Sequence, residues 1–315
     1  EGYIGNPLID YFLKKKYKII SFDNLIYGQK KRKKDKNYKF IFGDLRKKKD
    51  LRKINNKVFD VVIILAGLVG DPITNKYKKI SLEINESSIK NIIKYIYKND
   101  LAKKLIFVST CSNYGMSKKK YLNETNKLKP LSPYAKSKVK IEKYLLSLKK
   151  KSSFSPTILR FATAFGLSKR MRYDLTVNEF TRDLFKKKLL EVYDYNTWRP
   201  YCHVKDFARL INKVIITDKD ITAYQVFNAG SNQNNFTKKM ISEMIKKIIG
   251  GNINYLKKSK DRRNYVVDFS KVKKKLNFKI KFSIKYGIKE IIKDLKVNHN
   301  NLYNTNLGNY KIKLK

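Results

Sequence analysis

Three side chains in this sequence have the types and spacing to move a proton at an alcohol. Tyr134 and Lys138 stand four residues apart in the run Tyr-Ala-Lys-Ser-Lys, so on a helix they share one face. A lysine ammonium held near a phenol favours the phenolate and lowers its pKa from about 10 toward neutrality. A tyrosine tuned in this way takes the proton of an alcohol as hydride leaves the same carbon. Thr110, 24 residues before Tyr134, closes the apolar run Leu105–Val108 and supplies a hydroxyl. In a chain so rich in Tyr and Lys, a lone Tyr-x-x-x-Lys means little, and the strand-end threonine is what gives it weight. Cys111 follows Thr110. Its thiol, ordinarily of pKa about 8.5, shuttles protons where the surroundings lower that value and packs as a small hydrophobe where they do not.

These residues need a scaffold, and the sequence predicts an α/β one. Leu105–Val108 ending in Ser109, Thr110, Cys111 and Ser112 reads as a buried strand delivering hydroxyls to its carboxyl end, where open α/β sheets place ligands. After Pro130 and Pro133 a helical pattern begins at Tyr134. At the other end of the chain, Glu1–Gly2–Tyr3–Ile4–Gly5 has the look of the tail of G-x-G-x-x-G. Gly2 would let the backbone approach a pyrophosphate, and Gly5 would let the following helix pack close to the sheet. Ile4, Leu8, Ile9, Phe12 and Leu13 give that helix its buried face. The next strand ends in Asp23, eighteen residues past Gly5. An acid at that spacing accepts hydrogen bonds from an adenosine ribose and repels a 2′-phosphate, so NAD is expected over NADP. The first glycine and its strand are expected to precede Glu1, with that strand central between the Tyr17–Phe22 and Val58–Leu65 strands.

"FVSTCSNYG" followed by "SPYAKSK" resembles the Ser/Thr…Tyr-x-x-x-Lys core of the extended short-chain dehydrogenase/reductase family, the NAD-dependent nucleotide-sugar epimerases and dehydratases. The likeness runs from Gly2 to about Gly287. It implies a Rossmann-type doubly wound parallel sheet with a smaller, interleaved substrate-binding domain. Residues 1–166 would bind NAD, with 201–230 returning to that domain; 167–297 would mainly bind the nucleotide sugar, and 298–315 form a polar tail. For the cofactor, the resemblance implies Gly2, Tyr3, Ile4 and Gly5, Asp23 with Asn24, Asp44 with Leu45, and Leu65, Ala66 and Gly67, besides Tyr134 and Lys138. For the substrate it implies Asn178, Arg199 and Arg263, with Arg262 a near rival of Arg263. Asn85 matches an asparagine near the family's active site and serves equally well as a helix cap. His203 and Asp206 are expected to brace the next helix.

The reaction implied is oxidation of a sugar carbinol, normally at C4, to a transient keto sugar that is then reduced on its other face. A 4,6-dehydratase of this family has an Asp-Glu pair after the Ser/Thr. Here Cys111 and Ser112 occupy those positions, which favours an epimerase. A nucleotide-sugar C4 oxidoreductase (dehydrogenase or keto-reductase), or a 4,6-dehydratase of the same family, is the alternative.

The formal charge of +47 over 315 residues invites a polynucleotide-binding reading. The lysines, however, punctuate nearly every predicted element instead of clustering, so they read as solvated faces and no nucleic-acid partner is expected. No run of 18 apolar residues is present, so no membrane span is expected. Two cysteines offer neither a disulfide framework nor a metal-ligand cluster, and the expectation is a cytoplasmic enzyme without a metal. The helices near Asn85–Asn99 and Tyr134–Lys149 carry apolar residues on more than one face, which together with the family resemblance points to a homodimer.

Overall fold

The computed structural model describes residues 1–55, 57–117, 121–148, 154–256, 263–304 and 306–313. Its centre is a parallel sheet of four strands in the order β3–β4–β5–β9: β3 Phe59–Ile64, β4 Ala102–Thr110, β5 Ser155–Phe161 and β9 Gln225–Ala229. In β4, alternate residues face opposite sides, as the period of a strand requires. Leu105 and Phe107 pack with Ile89, Ile92, Ile93 and Ile96 of one helix and Ile141 and Leu145 of another. Ile106 and Val108 face Leu8 and Phe12 of the first helix and Phe207, Leu210 and Ile211 of the Val204–Ile216 helix. Helices on both faces explain why the strand reads as continuously apolar.

Two further strands, β1 Ile19–Asp23 and β2 Tyr38–Phe42, pair in parallel with each other. Among the described residues β1 does not pair with β3. Ile19–Phe22 and Phe59–Ile64 instead face a common cleft.

The second lobe holds β6 Thr163–Phe165, β8 Trp198–His203 and β10 Asn235–Thr237 in one small sheet, and β7 Leu189–Tyr193 with β11 Asn252–Leu256 in another. Its own core gathers Phe165, Val177, Leu184, Val192, Tyr201 and Ile288. The chain crosses between lobes repeatedly, since β9 returns to the central sheet beside β5. His203 and Asp206 are structural in this arrangement. His203 Nε2 meets Glu290 Oε1 at 2.6 Å, and the Asp206 carboxylate accepts the backbone N–H groups of Lys281 and Phe282. Among the described residues no helix is long and apolar enough to cross a membrane.

A buried polar cluster joins the strand ends to the helix that carries Tyr134. Arg160 on β5 donates to Glu142 through Nη2 at 2.7 Å and through Nε at 3.1 Å. Ser109 Oγ donates to the same carboxylate, and Asn113 Nδ2 does so at 2.8 Å. Arg160 Nη1 also reaches Tyr114, whose hydroxyl donates to Asn228 on β9 at 2.8 Å. Arg160 and Glu142 are both almost wholly out of water. Removing one partner of such a pair strands the other charge. Glu142→Ala is therefore expected to cost about 3–5 kcal/mol in chemical denaturation. A loss below about 1 kcal/mol would show that the cluster is not holding these elements together.

Candidate active site

The chain itself fixes the position of each catalytic candidate. The helix Pro133–Ser147 begins with proline in its first turn, where the missing N–H is no loss, and Ser132 caps it by accepting from Ala135 N at 3.2 Å. Tyr134 and Lys138 then fall one turn apart on the face toward β4. Lys138 Nζ donates to the carbonyl of Val108 at 2.8 Å and lies 4.6 Å from the centre of the Phe107 ring. Thr110 ends β4, and its Oγ accepts from Ser112 N at 3.1 Å, so the hydroxyl is pinned at the strand's carboxyl end. All three line one cleft of about 1150 Å³ with Gly2, Asp23 and Gly67.

The loop after β3 is shaped by Asn85. Its Oδ1 accepts from Leu68 N at 2.7 Å, and its Nδ2 donates to Leu68 O at 2.9 Å. Asn85 sits in a π-helical turn over Glu83–Ser88, an irregularity that aims the amide across the helix edge. Gly67 has φ +148, and a Cβ there would stand 2.8 Å from Asn85 Oδ1. Only glycine permits this approach. Asn85 is therefore a brace for the loop.

Electrostatics modify the sequence-based picture. The Tyr134 phenol is pushed well above its ordinary value, and burial is the main cause. The Arg172 guanidinium is the strongest influence pulling it back, ahead of the hydrogen bond from Thr110. Burial outweighs the influences that favour the phenolate here. The Lys138 ammonium is brought down to about 8 by burial, opposed by the charge of Glu142.

The cofactor candidates gather along the same cleft. Gly2, Tyr3, Ile4 and Gly5 form its wall at the start of the first helix, whose N-terminus favours an anion. Asp23 closes β1 and accepts from Leu25 N at 2.7 Å. Asn24 donates to Asp44 at 3.1 Å, and Arg46 holds the Asp44 carboxyl down at about 2 against the opposing effect of its burial. Leu45, Leu65, Ala66 and Gly67 line the cleft as well. An acid at the end of β1, a glycine-walled helix start and a cleft reaching Tyr134 fit a dinucleotide. Asp23 and Asn24 would hold its adenosine end, the start of the first helix its pyrophosphate, and Lys138 its far ribose.

On the substrate side, Arg199 and Arg263 line the cleft, and Arg263 pairs with Asp71 across it at 3.2 Å. Arg262 lies outside the described residues. Two expected residues do not reach the cleft. Asn178 is wholly buried: its Oδ1 accepts from Gly166 N, and its Nδ2 donates to Tyr3 Oη and Arg172 O. It ties the two lobes together and touches no ligand space. Cys111 points the other way from Thr110. Its Sγ donates to Arg160 O at 3.2 Å inside the core, and burial pushes the thiol far up, so the proton shuttle is not available. Arg170 and Arg172, which the sequence reading passed over, also face the cleft. Arg172 pairs with Asp174 at 2.6 Å.

A Rossmann-type sheet whose strand-end cleft holds Thr110, Tyr134 and Lys138 defines a dinucleotide-dependent enzyme of the short-chain dehydrogenase/reductase class. Within it, the chain belongs to the NAD dependent epimerase/dehydratase family, whose model matches residues 1–230. A UDP-glucuronate 4-epimerase from Thermodesulfobacterium geofontis is 25% identical over 88% of both chains. The structure of a UDP-glucose 4-epimerase with UDP-glucose from Thermotoga maritima superposes with a TM-score of 0.83, at 24% identity, over 95% of this chain and 97% of that one. A UDP-glucuronic acid 4-epimerase from Bacillus cereus, in complex with UDP-glucuronic acid and NAD, gives a TM-score of 0.81 at 22% identity, over 94% and 96%. The cofactor is NAD.

Burying Lys138 has a thermodynamic consequence of definite sign. Lysine ordinarily titrates near 10.4. Between about 8 and that value the unfolded chain binds more protons at this site than the folded one, so its contribution to stability rises with pH across the window. Below about 8 the buried ammonium is a net cost, on the order of 3 kcal/mol. Lys138→Met is therefore expected to melt higher than the parent at pH 7, with the gap closing toward pH 10, while turnover is lost. A variant that melts lower at both values would contradict this placement.

Proposed function

We propose that this enzyme is an NAD-dependent nucleotide-sugar epimerase that inverts a carbinol, most simply C4, through a transient keto sugar. The observation that carries the reading is the convergence of Thr110, Tyr134 and Lys138 at one end of a cleft with Asp23 at the other. Bound NAD supplies the hydride acceptor and donor. The chain's own groups manage the proton and the pose. Tyr134 takes the hydroxyl proton of the sugar and returns it after inversion, and Thr110 hydrogen-bonds the same oxygen. Lys138, anchored on Val108 O, holds the cofactor's ribose beside it. Because burial keeps the phenol protonated, its proton-accepting form depends on positive charge brought near, and Arg172 provides part of that charge.

Arg199 and Arg263 suit the diphosphate of the substrate, since a guanidinium fork matches phosphate oxygens. The relatives described above are named for UDP-glucuronate and UDP-glucose, which makes a UDP-hexose or UDP-hexuronate the leading substrate class. The turn after Thr110, Cys111–Tyr114, carries no carboxyl side chain to drive elimination of water, and this favours epimerisation over dehydration. The buried free thiols of Cys111 and Cys202 suit a reducing cytoplasm, and the product would feed polysaccharide biosynthesis. We read the oligomer as an isologous homodimer formed through the Ile89–Lys98 and Pro133–Ser147 helices, on which Tyr97 and Leu146 remain exposed.

Incubation with UDP-, GDP-, CDP- and dTDP-sugars, followed by NMR of the products, tests the reading. A C4 epimer of a UDP-sugar, formed without added reductant, is expected. A net oxidised or dehydrated product would replace epimerase with its alternatives. Tyr134→Phe should lower turnover at least about 100-fold while NAD still binds. Asp23→Ala should narrow the preference for NAD over NADP, and equal affinity of the parent for both would refute the role given to Asp23.

A further inference from the structure

The segment 306–313 continues the chain past its last helices and comes back over the cleft. Leu307 O accepts from Tyr173 N at 2.8 Å, and Gly308 O accepts from Arg170 Nη2 at 2.9 Å. Asn309 Nδ2 donates to the carbonyl of Val69, in the loop after β3, at 2.7 Å. Lys313 N donates to Ile26 O, in the loop after β1, at 2.7 Å. The segment thus starts on the second lobe, touches the loop beside the catalytic end of the cleft and finishes on the loop beside Asp23. Asn309 and Tyr310 line the cleft that also holds Asp23 and Tyr134.

One polar atom of the segment lacks the partner that burial demands, and one cation beneath it has donors to spare. Asn309 is 5% exposed and lines the cleft, yet its Oδ1 accepts no hydrogen bond from the described residues. Arg170 is partly buried with its guanidinium 4.2 Å over the Tyr27 ring. Its one hydrogen bond is to Gly308 O, and among the described residues it forms no ion pair. Burial and the nearby Arg172 disfavour its charge, while Tyr27, Asp174 and Asp23 partly offset them. A half-buried guanidinium that spends one donor on a carbonyl keeps others to offer an anion in the cleft. The adjoining Lys169 reaches Asp10 of the first helix at 3.2 Å, so this stretch runs along the helix whose N-terminus faces the pyrophosphate position.

We propose that residues 306–313 form a strap that retains the dinucleotide in its cleft, with Arg170 beneath it as a ligand of the cofactor's pyrophosphate. The proposal rests on the NAD reading of the cleft. Arg170 supplies the charge, the free Asn309 oxygen accepts a hydroxyl or amide N–H of the ligand, and the Lys313–Ile26 bond latches the far end. A strap of this kind slows cofactor release without adding to the reaction, which suits an enzyme that must return the same hydride to its substrate.

The test uses the whole chain and compares binding of NADH, ADP-ribose, adenosine and UDP to the parent and three variants. Arg170→Met is expected to weaken NADH and ADP-ribose about tenfold or more and to flatten their salt dependence, while adenosine and UDP change less than twofold. Arg170→Lys should recover part of the loss. Lys313→Pro, which removes the latching N–H at an exposed turn, should speed NADH dissociation several-fold in stopped-flow fluorescence with an unchanged melting temperature. Loss of UDP binding instead of NADH binding would assign Arg170 to the substrate and overturn the proposal. Unaltered NADH affinity and release in all three variants would overturn it as well. A parent that binds no NADH would defeat the cofactor reading itself, a separate failure.

Discussion

An ion pair sealed from water sets the geometry of this enzyme. Arg160 on β5 and Glu142 on the helix after Tyr134 meet with two-toothed contacts, and Ser109, the residue before Thr110, donates to the same carboxylate. One cluster therefore fixes the end of β4, the neighbouring strand and the catalytic helix relative to each other. Lys138 lies one turn before Glu142 and is anchored on β4 as well. In a low-dielectric interior such contacts tolerate little misfit, because any displaced charge loses its compensation outright. Tyr134 itself is held by the hydroxyl of Thr110 at the end of the same strand. It inherits its position from these neighbours.

The same interior sets the chemistry. Burial raises the phenol and lowers the lysine, so both groups sit nearer their neutral forms than they would in water. That condition suits a site whose base has to pass a proton in both directions during one catalytic cycle. Positive charge on Arg172, or entering the cleft, favours the phenolate that the proposed role of Tyr134 requires.

The parts that sequence made legible were those with local periodicity. β4 announces itself by a continuous apolar run ending in hydroxyls, the catalytic helix by Ser132–Pro133 and the four-residue spacing, and Asp23 by its distance from Gly5. What failed was side-chain direction beyond those periods. Past Thr110 the strand gives way to a short 3-10 turn, so alternation no longer tells which way Cys111 points, and it turns into the core. Asn178 was assigned by family position, but a fully buried amide between Gly166, Tyr3 and Arg172 can only be seen once both lobes are assembled. Arg170, Arg172 and Asn309 were invisible for the opposite reason. They lie in polar, basic stretches indistinguishable by composition from the lysine-rich surface, and only the fold brings them over the cleft.

The account stands or falls on where the hydride goes. A UDP-sugar substrate of this enzyme carrying deuterium at C4 should give an epimer that keeps the deuterium at C4 in ordinary water, because the hydrogen leaves and returns within one closed cleft. Replacement of that deuterium by solvent hydrogen, or inversion at a neighbouring carbon with C4 untouched, would contradict it.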